Sequence, residues 1–78
     1  MGGPPIGTFS VGISPYCVAF DGANIWVGNQ GDNTVTKLRA SDGTQMGAFS
    51  VGNGPVGVAF EGTNIWVVNT SGNTVSKL

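Results

Sequence analysis

The segment Asn24-Ile25-Trp26-Val27-Gly28-Asn29 returns 40 residues further along the chain as Asn64-Ile65-Trp66-Val67-Val68-Asn69. Each copy is rich in β-branched and aromatic residues, which favour extended strands. Three apolar side chains in succession occupy both faces of such a strand, so each copy is expected to be covered on both sides. This pattern predicts stacked sheets rather than a half-exposed hairpin.

The repeat extends outward from this strand over almost the whole chain. Residues 7–38 align with residues 47–78 without a gap, and 20 of the 32 aligned positions are identical. A period of 40 residues with several strands in each unit is typical of β-propeller blades. The sequence therefore predicts an all-β chain of two four-stranded β-propeller blades, without helices.

Turn residues divide each repeat into four strands. Asp21-Gly22 and Glu61-Gly62 suit tight hairpins, and the glycine- and asparagine-containing segments at 31–33 and 71–73 suit longer turns. Pro15 is expected to separate one sheet from the next, because proline cannot donate to a central ladder. The predicted strands cover residues 8–11, 16–20, 24–29, 34–39, 45–51, 56–60, 64–69 and 74–78.

The blocks at 24–29 and 33–38, with their second copies at 65–69 and 73–78, resemble the YVTN-type propeller repeat that streptogramin-lyase-like propellers share. The resemblance covers essentially the whole chain after Pro5. It implies a propeller in which the first strand of each blade is innermost and the fourth is outermost. It implies no particular function, because such repeats serve many roles.

The expected strand order divides the chain into three parts. Residues 1–6 are a tail, residues 7–46 hold an outer strand and the first strands of blade one, and residues 47–78 hold the outer strand of blade one and three strands of blade two. The outer strand of blade two is then expected from another copy. The predicted contact joins Thr8, Phe9, Ser10 and Val11 of one chain to Thr74, Val75, Ser76, Lys77 and Leu78 of the next.

Oligomerisation is also the expected source of stability. The chain has 78 residues, one cysteine and no histidine, which leaves neither an internal disulfide nor a zinc site to support so small a core. A head-to-tail contact must close into a ring or grow indefinitely. Propellers have about 4–8 blades, so a dimer, trimer or tetramer fits two blades per chain. A trimer is slightly preferred, and a tetramer comes next.

Catalysis is not expected from this sequence. The lyases that the repeat resembles rely on a histidine with a metal ion and a carboxylate nearby, and this chain has no histidine. Cys17 has no base beside it in sequence and is expected to be a small buried residue. Asp21 and Glu61 are interpreted as hairpin residues rather than calcium ligands, so no metal and no cofactor are predicted.

Two functions remain open at this point. The first is a self-assembling structural or scaffold protein, natural or engineered. The second is a ligand-binding module, lectin-like or peptide-binding, that uses one face of the assembled ring; Trp26 and Trp66 are expected in the core rather than against a sugar. The candidate ligand residues are Tyr16, Asn29, Gln30, Asp32, Asn33, Asn53, Asn69 and Asn73.

Composition argues against two other kinds of partner. Three lysine and arginine residues against four acidic residues cannot form a basic patch for nucleic acid. No apolar run approaches the roughly 20 residues of a membrane span, and the start Met1-Gly2-Gly3-Pro4-Pro5 does not resemble a signal peptide. The chain as expressed is therefore expected in the cytoplasm.

Overall fold

The computed structural model describes residues 6–78, which form seven β-strands and no helix. The strands are β1 (Pro15–Phe20), β2 (Asn24–Asn29), β3 (Thr34–Arg39), β4 (Gln45–Ser50), β5 (Pro55–Phe60), β6 (Ile65–Asn69) and β7 (Thr74–Lys77). This confirms the predicted all-β class. The expectations for the first five residues, including the one about a signal peptide, lie outside the described residues.

The strands form two antiparallel sheets in chain order. The first sheet has the order β1-β2-β3-β4 and the second has the order β5-β6-β7. Seven of the eight predicted strands are present, and their ends agree with the prediction to within one residue. Pro15 begins β1 and Pro55 begins β5, each at a bulge in the ladder, as expected where a residue lacks an N–H group.

The predicted strand at residues 8–11 is not formed within this chain, and the second sheet consists of the three strands β5, β6 and β7. A strand requires a neighbour to which it can hydrogen-bond. Within this chain, residues 6–12 lie against the first sheet rather than beside β7. The outer edge of β7 is therefore unpaired within the described residues.

The core lies between the two sheets. It consists of Trp26 and Val35 from the first sheet and Ile65 and Val67 from the second, with exposed fractions of 8%, 0%, 3% and 0%. Three half-buried side chains complete the core: Val51, Val58 and Leu78. The first copy of the repeated strand thus meets the second copy across the core, as stacked sheets require.

Candidate functional site: the two open sheet faces

Strand register gives each sheet two chemically different faces. In the first sheet Trp26 pairs with Lys37 and Gly28 pairs with Val35, so the side chains of Trp26, Lys37 and Val35 lie on the same side, with Gly28 between them. We call this the tryptophan face, and the opposite side, which carries Ile25 and Val27, the isoleucine face. In the second sheet, the tryptophan face carries Trp66, Val68, Val75 and Lys77, and the isoleucine face carries Ile65 and Val67.

Inside the chain, the tryptophan face of the first sheet packs on the isoleucine face of the second. Trp26 and Val35 contact Ile65 and Val67 in the core. The approach is close: a Cβ built on Gly28 would lie 3.3 Å from a methyl carbon of Val58. The molecule therefore contains one complete contact between unlike faces.

The tryptophan face of the second sheet is open. Trp66, Val68 and Val75 are 36%, 47% and 56% exposed. Their counterparts Trp26 and Val35 are 8% and 0% exposed. Lys77 covers part of this face, since its Nζ lies 5.3 Å from the Trp66 ring centroid, in a cation–π contact.

The isoleucine face of the first sheet is also open along β1. Val18 and Phe20 are 63% and 58% exposed, whereas the equivalent Val58 packs against the core. Ile25 and Val27 are half-buried, although their counterparts in the second sheet are fully buried. The chain thus exposes one face of each kind.

Residues 6–12 cover part of this isoleucine face. A Cβ on Gly12 would lie 2.7 Å from the Asn29 amide carbon, and one on Gly52 would lie 2.8 Å from that of Asn69, so the two repeats match here. Nearer the start of the segment, Phe9 packs closely over Gly43, and a Cβ built on Gly43 would lie 2.4 Å from the Phe9 ring. The segment borders an open cavity of about 600 Å³ that is lined partly by Ile25 and Leu38.

Two of the predicted ligand residues, Asn29 and Asn69, lie inside the sheets. Asn29 is 0% and Asn69 is 1% exposed. The Asn29 amide donates to the hydroxyls of Thr34 and Thr36 at 3.1 and 2.9 Å. The Asn69 amide donates to the hydroxyls of Thr74 and Ser76 at 3.3 and 2.9 Å. Both amide oxygens are buried without a hydrogen-bond partner among the described residues.

Asn33 and Asn53, also predicted to bind ligand, instead hold the first sheet to the loop that leads into the second. The Asn33 side-chain oxygen accepts the N–H of Gly54 at 2.9 Å, and its backbone carbonyl accepts the N–H of Val51 at 3.0 Å. Its amide nitrogen donates to the Asn53 side chain at 3.3 Å. We call these three hydrogen bonds the asparagine clasp. Sequence reasoning missed it, although the asparagine at the same point of both repeats was a signal.

The remaining candidates do not meet in one pocket. Tyr16 is 64% exposed on β1, and Gln30 is exposed in the β2–β3 turn. The Asp32 carboxylate accepts the Thr34 hydroxyl at 2.6 Å and the Ile13 N–H at 3.2 Å, and the Thr34 hydroxyl is the main reason that its pKa is lowered. Asn73 borders a shallow groove of about 430 Å³ on the second sheet.

The acidic residues of the two hairpins have a structural role. Asp21 accepts the Trp26 indole N–H at 2.8 Å through one oxygen, and two backbone N–H groups at 2.9 and 2.7 Å through the other. These bonds, the indole bond first, lower the pKa of Asp21 to about 2. Glu61 closes its hairpin through the N–H of Asn64 and Thr63, which lower its pKa.

Cys17 and Gly28 form a pair of one larger and one smaller residue on neighbouring strands, and the second sheet reverses the order. Sequence reasoning also missed this pair. A Cβ on Gly28 would lie 2.5 Å from the Cys17 sulfur, so the cysteine fits because residue 28 is glycine. In the second sheet the small residue is Gly57 and the large one is Val68, which sit at the equivalent positions. Burial raises the pKa of the Cys17 thiol.

Residues 6–78 contain no group of three or more histidine, cysteine or acidic side chains that could hold a metal ion. Over the same range no helix is long and apolar enough to cross a membrane.

No family model matches the chain, and no curated protein matches it. Any function must therefore be argued from the repeat, the open faces and the side chains between them.

Proposed function

We propose that this chain is a self-assembling β-propeller blade pair with a structural role and no catalytic activity. The observation that carries the proposal concerns the two kinds of sheet face. A tryptophan face packs on an isoleucine face inside the chain, and the chain also exposes one further face of each kind. Its open tryptophan face is the repeat equivalent of a packed one, and its open isoleucine face is too. A second copy of the chain offers the complementary face to each.

The size of the exposed side chains supports this assembly. Trp66, Val68, Val75, Val18 and Phe20 all lie on the two open faces and are between 36% and 63% exposed. Complete burial of a large apolar side chain contributes about 1.5–3 kcal/mol. Partial burial of several on each side gives several kcal/mol per contact, enough to matter for a domain of this size.

The proposed contact repeats the relation between the two sheets, so it joins unlike faces and must either close or continue. Closure into a propeller gives an even number of sheets. Six sheets from three chains is the preferred ring, and eight from four chains is the next, within the size range of known propellers.

Residues 8–11 are proposed to complete the second sheet of the neighbouring copy. Gly12 contacts Asn29 as Gly52, two residues beyond β4, contacts Asn69. Residues 8–11 are therefore placed relative to the first sheet in the same way that the end of β4 is placed relative to the second sheet. Pairing of this segment with β7 would also close an open strand edge, which is otherwise a site of aggregation.

A ligand-binding role receives less support from the same residues. Asn29 and Asn69 are buried, and Asn33 and Asn53 bond to each other. Side chains that hold the two sheets together are poorly placed to bind a sugar or a peptide.

A charged substitution on the open tryptophan face tests the proposal. Val75→Glu buries an unpaired carboxylate if the face is an interface, so the midpoint concentration of assembly should rise at least about a hundredfold. Thr63→Glu, on an exposed hairpin, is the matched control and should assemble like the wild type. Sedimentation velocity over a dilution series distinguishes the two. If Val75→Glu and wild type sediment alike at every concentration, this face is not an interface.

A further inference from the structure

We propose that Asn73 fastens one copy of the chain to the next by accepting backbone hydrogen bonds from Val11 and Ser14 of a second copy. This inference rests on the proposed head-to-tail assembly. It adds the polar contact that fixes how far one copy slides along the other, which apolar faces alone do not determine.

The asparagine clasp inside the chain is the precedent. Asn33 accepts the N–H of Gly54 through its side-chain oxygen at 2.9 Å and the N–H of Val51 through its backbone carbonyl at 3.0 Å. Asn33 lies in a turn of the first sheet, whereas Gly54 lies in the loop that leads into the second. The Gly54 bond therefore ties the first sheet to the loop that leads into its neighbour, and the Val51 bond extends the β3–β4 ladder by one residue.

Asn73 has the conformation needed to do the same. Its φ angle is +54°, and that of Asn33 is +58°. Asparagine is one of the few residues other than glycine that enter this left-handed region readily. Asn33 is half-buried under the loop it binds, whereas Asn73 is exposed beside the groove that borders Val68 and Val75 on the open tryptophan face.

The donors lie in the loop before β1. Ser14 has a φ angle of +53°, close to the +68° of the equivalent Gly54, although serine rarely adopts this conformation. The Ser14 carbonyl accepts the N–H of Gln30 at 3.0 Å, as the Gly54 carbonyl accepts that of Thr70 at 2.9 Å. The loop before β1 therefore has the same shape as the loop before β5, in which the N–H of Gly54 binds Asn33.

The exposure of this loop points the same way. Gly54 and Pro55 are buried against the first sheet, whereas Ser14 and Pro15 are exposed. No hydrogen bond found among residues 6–78 uses the N–H of Val11 or of Ser14. A strained serine in an otherwise matching loop is explained if its N–H binds a partner's Asn73.

The contact between copies differs from the internal clasp in one bond. Asn53 supplies a side-chain oxygen to the Asn33 amide at 3.3 Å, but its repeat equivalent is Ile13, which has no acceptor in its side chain. Two of the three bonds of the clasp are therefore available between copies.

The experiment compares the full chain with three variants. Asn73→Gly keeps the left-handed backbone and the backbone carbonyl but removes the side-chain oxygen that would accept the Ser14 N–H. Asn73→Asp keeps all three features, and Asn33→Gly is the matched change inside the chain. In sedimentation velocity at 0.3 M NaCl, Asn73→Gly should raise the midpoint concentration of assembly about tenfold, and Asn73→Asp by less than about threefold.

Amide hydrogen exchange gives the second readout. At a concentration where each protein is assembled, the Ser14 N–H should be protected in the wild type and Asn73→Asp, and should exchange at least about tenfold faster in Asn73→Gly. Asn33→Gly should instead expose the Gly54 N–H and leave Ser14 protected. The Ser14 measurement on the wild type tests the proposal even if Asn73→Gly does not fold.

The outcomes separate the two proposals. An assembled wild type whose Ser14 N–H exchanges freely, or whose midpoint is unchanged by Asn73→Gly, overturns the role of Asn73 and leaves the assembly standing. A wild type that stays monomeric overturns the assembly, and the role of Asn73 with it.

Discussion

At the scale of single residues, Asp21 links a hairpin to the core. One of its oxygens holds two backbone N–H groups of the hairpin, and the other holds the indole of Trp26, which is a core residue. An anionic acceptor strengthens all three bonds. The side chain therefore fixes the orientation of the tryptophan on which the second sheet packs.

Asp21→Asn should separate the two functions of this carboxylate. The amide oxygen can still accept from the backbone, but its NH₂ group faces the indole N–H, which loses its acceptor. We expect the free energy of unfolding to fall by about 1 kcal/mol in urea titration. Glu61→Gln is the matched control, and its effect should be smaller because the backbone N–H groups are its main partners. An equal loss in both variants would contradict this role of the indole bond.

The same carboxylate makes stability depend on pH at the acid end. The pKa of Asp21 is about 2 in the folded chain against 3.8 without these bonds. A lowered pKa stabilises the fold fully above about pH 4, and this contribution is lost as the pH falls towards 2. Wild type should therefore lose more stability than Asp21→Asn between pH 5 and pH 2, as measured by urea unfolding at each pH. Parallel pH profiles of the two proteins would contradict the assignment.

The pair Cys17–Gly28 in the first sheet has its larger residue on the first strand, whereas the equivalent pair Gly57–Val68 has it on the second strand. A side chain on Gly28 would meet the Cys17 sulfur at 2.5 Å and Val58 at 3.3 Å. Gly28→Val should lower the free energy of unfolding by about 1–3 kcal/mol through overpacking. Adding Cys17→Gly recreates the Gly57–Val68 pair of the second sheet and should restore part of the loss. A double-mutant cycle by urea unfolding measures this coupling, and strictly additive effects would rule it out.

At the scale of strands, local pattern and turn chemistry predicted most of the fold. The strands β2 and β3 have their predicted ends, because the strand preference of β-branched and aromatic residues and the turn preference of glycine and asparagine act over short distances. Residues 8–11 are identical to residues 48–51 at three of four positions, yet they form no strand in the described chain. The two segments differ in whether a partner strand lies beside them: β4 pairs with β3, whereas residues 8–11 have no partner strand in the described chain. Composition does not encode the presence of a partner strand.

The candidate site was less predictable than the strands. The asparagines of the turns were predicted to bind ligand because their polar loops were expected to meet at one face of the ring. Asn33 instead reaches a loop 21 residues away, and the Asn29 amide lies buried between two threonine hydroxyls. Such roles depend on which turns meet in space, and a residue pattern within one turn does not contain that information.

The register of the proposed contact between copies follows from the register within the first sheet. Val35 pairs with Phe49 between β3 and β4, so the proposed contact would place Val75 of one copy opposite Phe9 of the next. In a Cys17→Ser background, Phe9→Cys with Val75→Cys should form a disulfide between copies, because paired strand positions lie within disulfide range. Non-reducing electrophoresis should show a covalent ladder up to the full ring.

The control for this cross-link is Phe9→Cys with Thr63→Cys, which places the second thiol on an exposed hairpin. It should stay monomeric under the same oxidation. A cross-link of equal yield in both pairs would show that the thiols meet by random collision rather than through strand pairing.

At the scale of the whole molecule, the account depends on self-complementarity. A single chain buries one tryptophan face and leaves the other open, and it does the same with its isoleucine faces. The internal and proposed contacts are not identical, because Gly28 faces Val58 inside the chain whereas Val68 would face Val18 of the next copy. The two contacts therefore alternate around the proposed ring.

The most direct test of this account is native mass spectrometry of the purified chain over a range of concentrations. The account predicts one discrete closed species, three chains of 7.9 kDa in the preferred ring or four in the next, with few intermediates. A folded monomer at every concentration, or a series of species that lengthens without limit, would contradict closure into a ring.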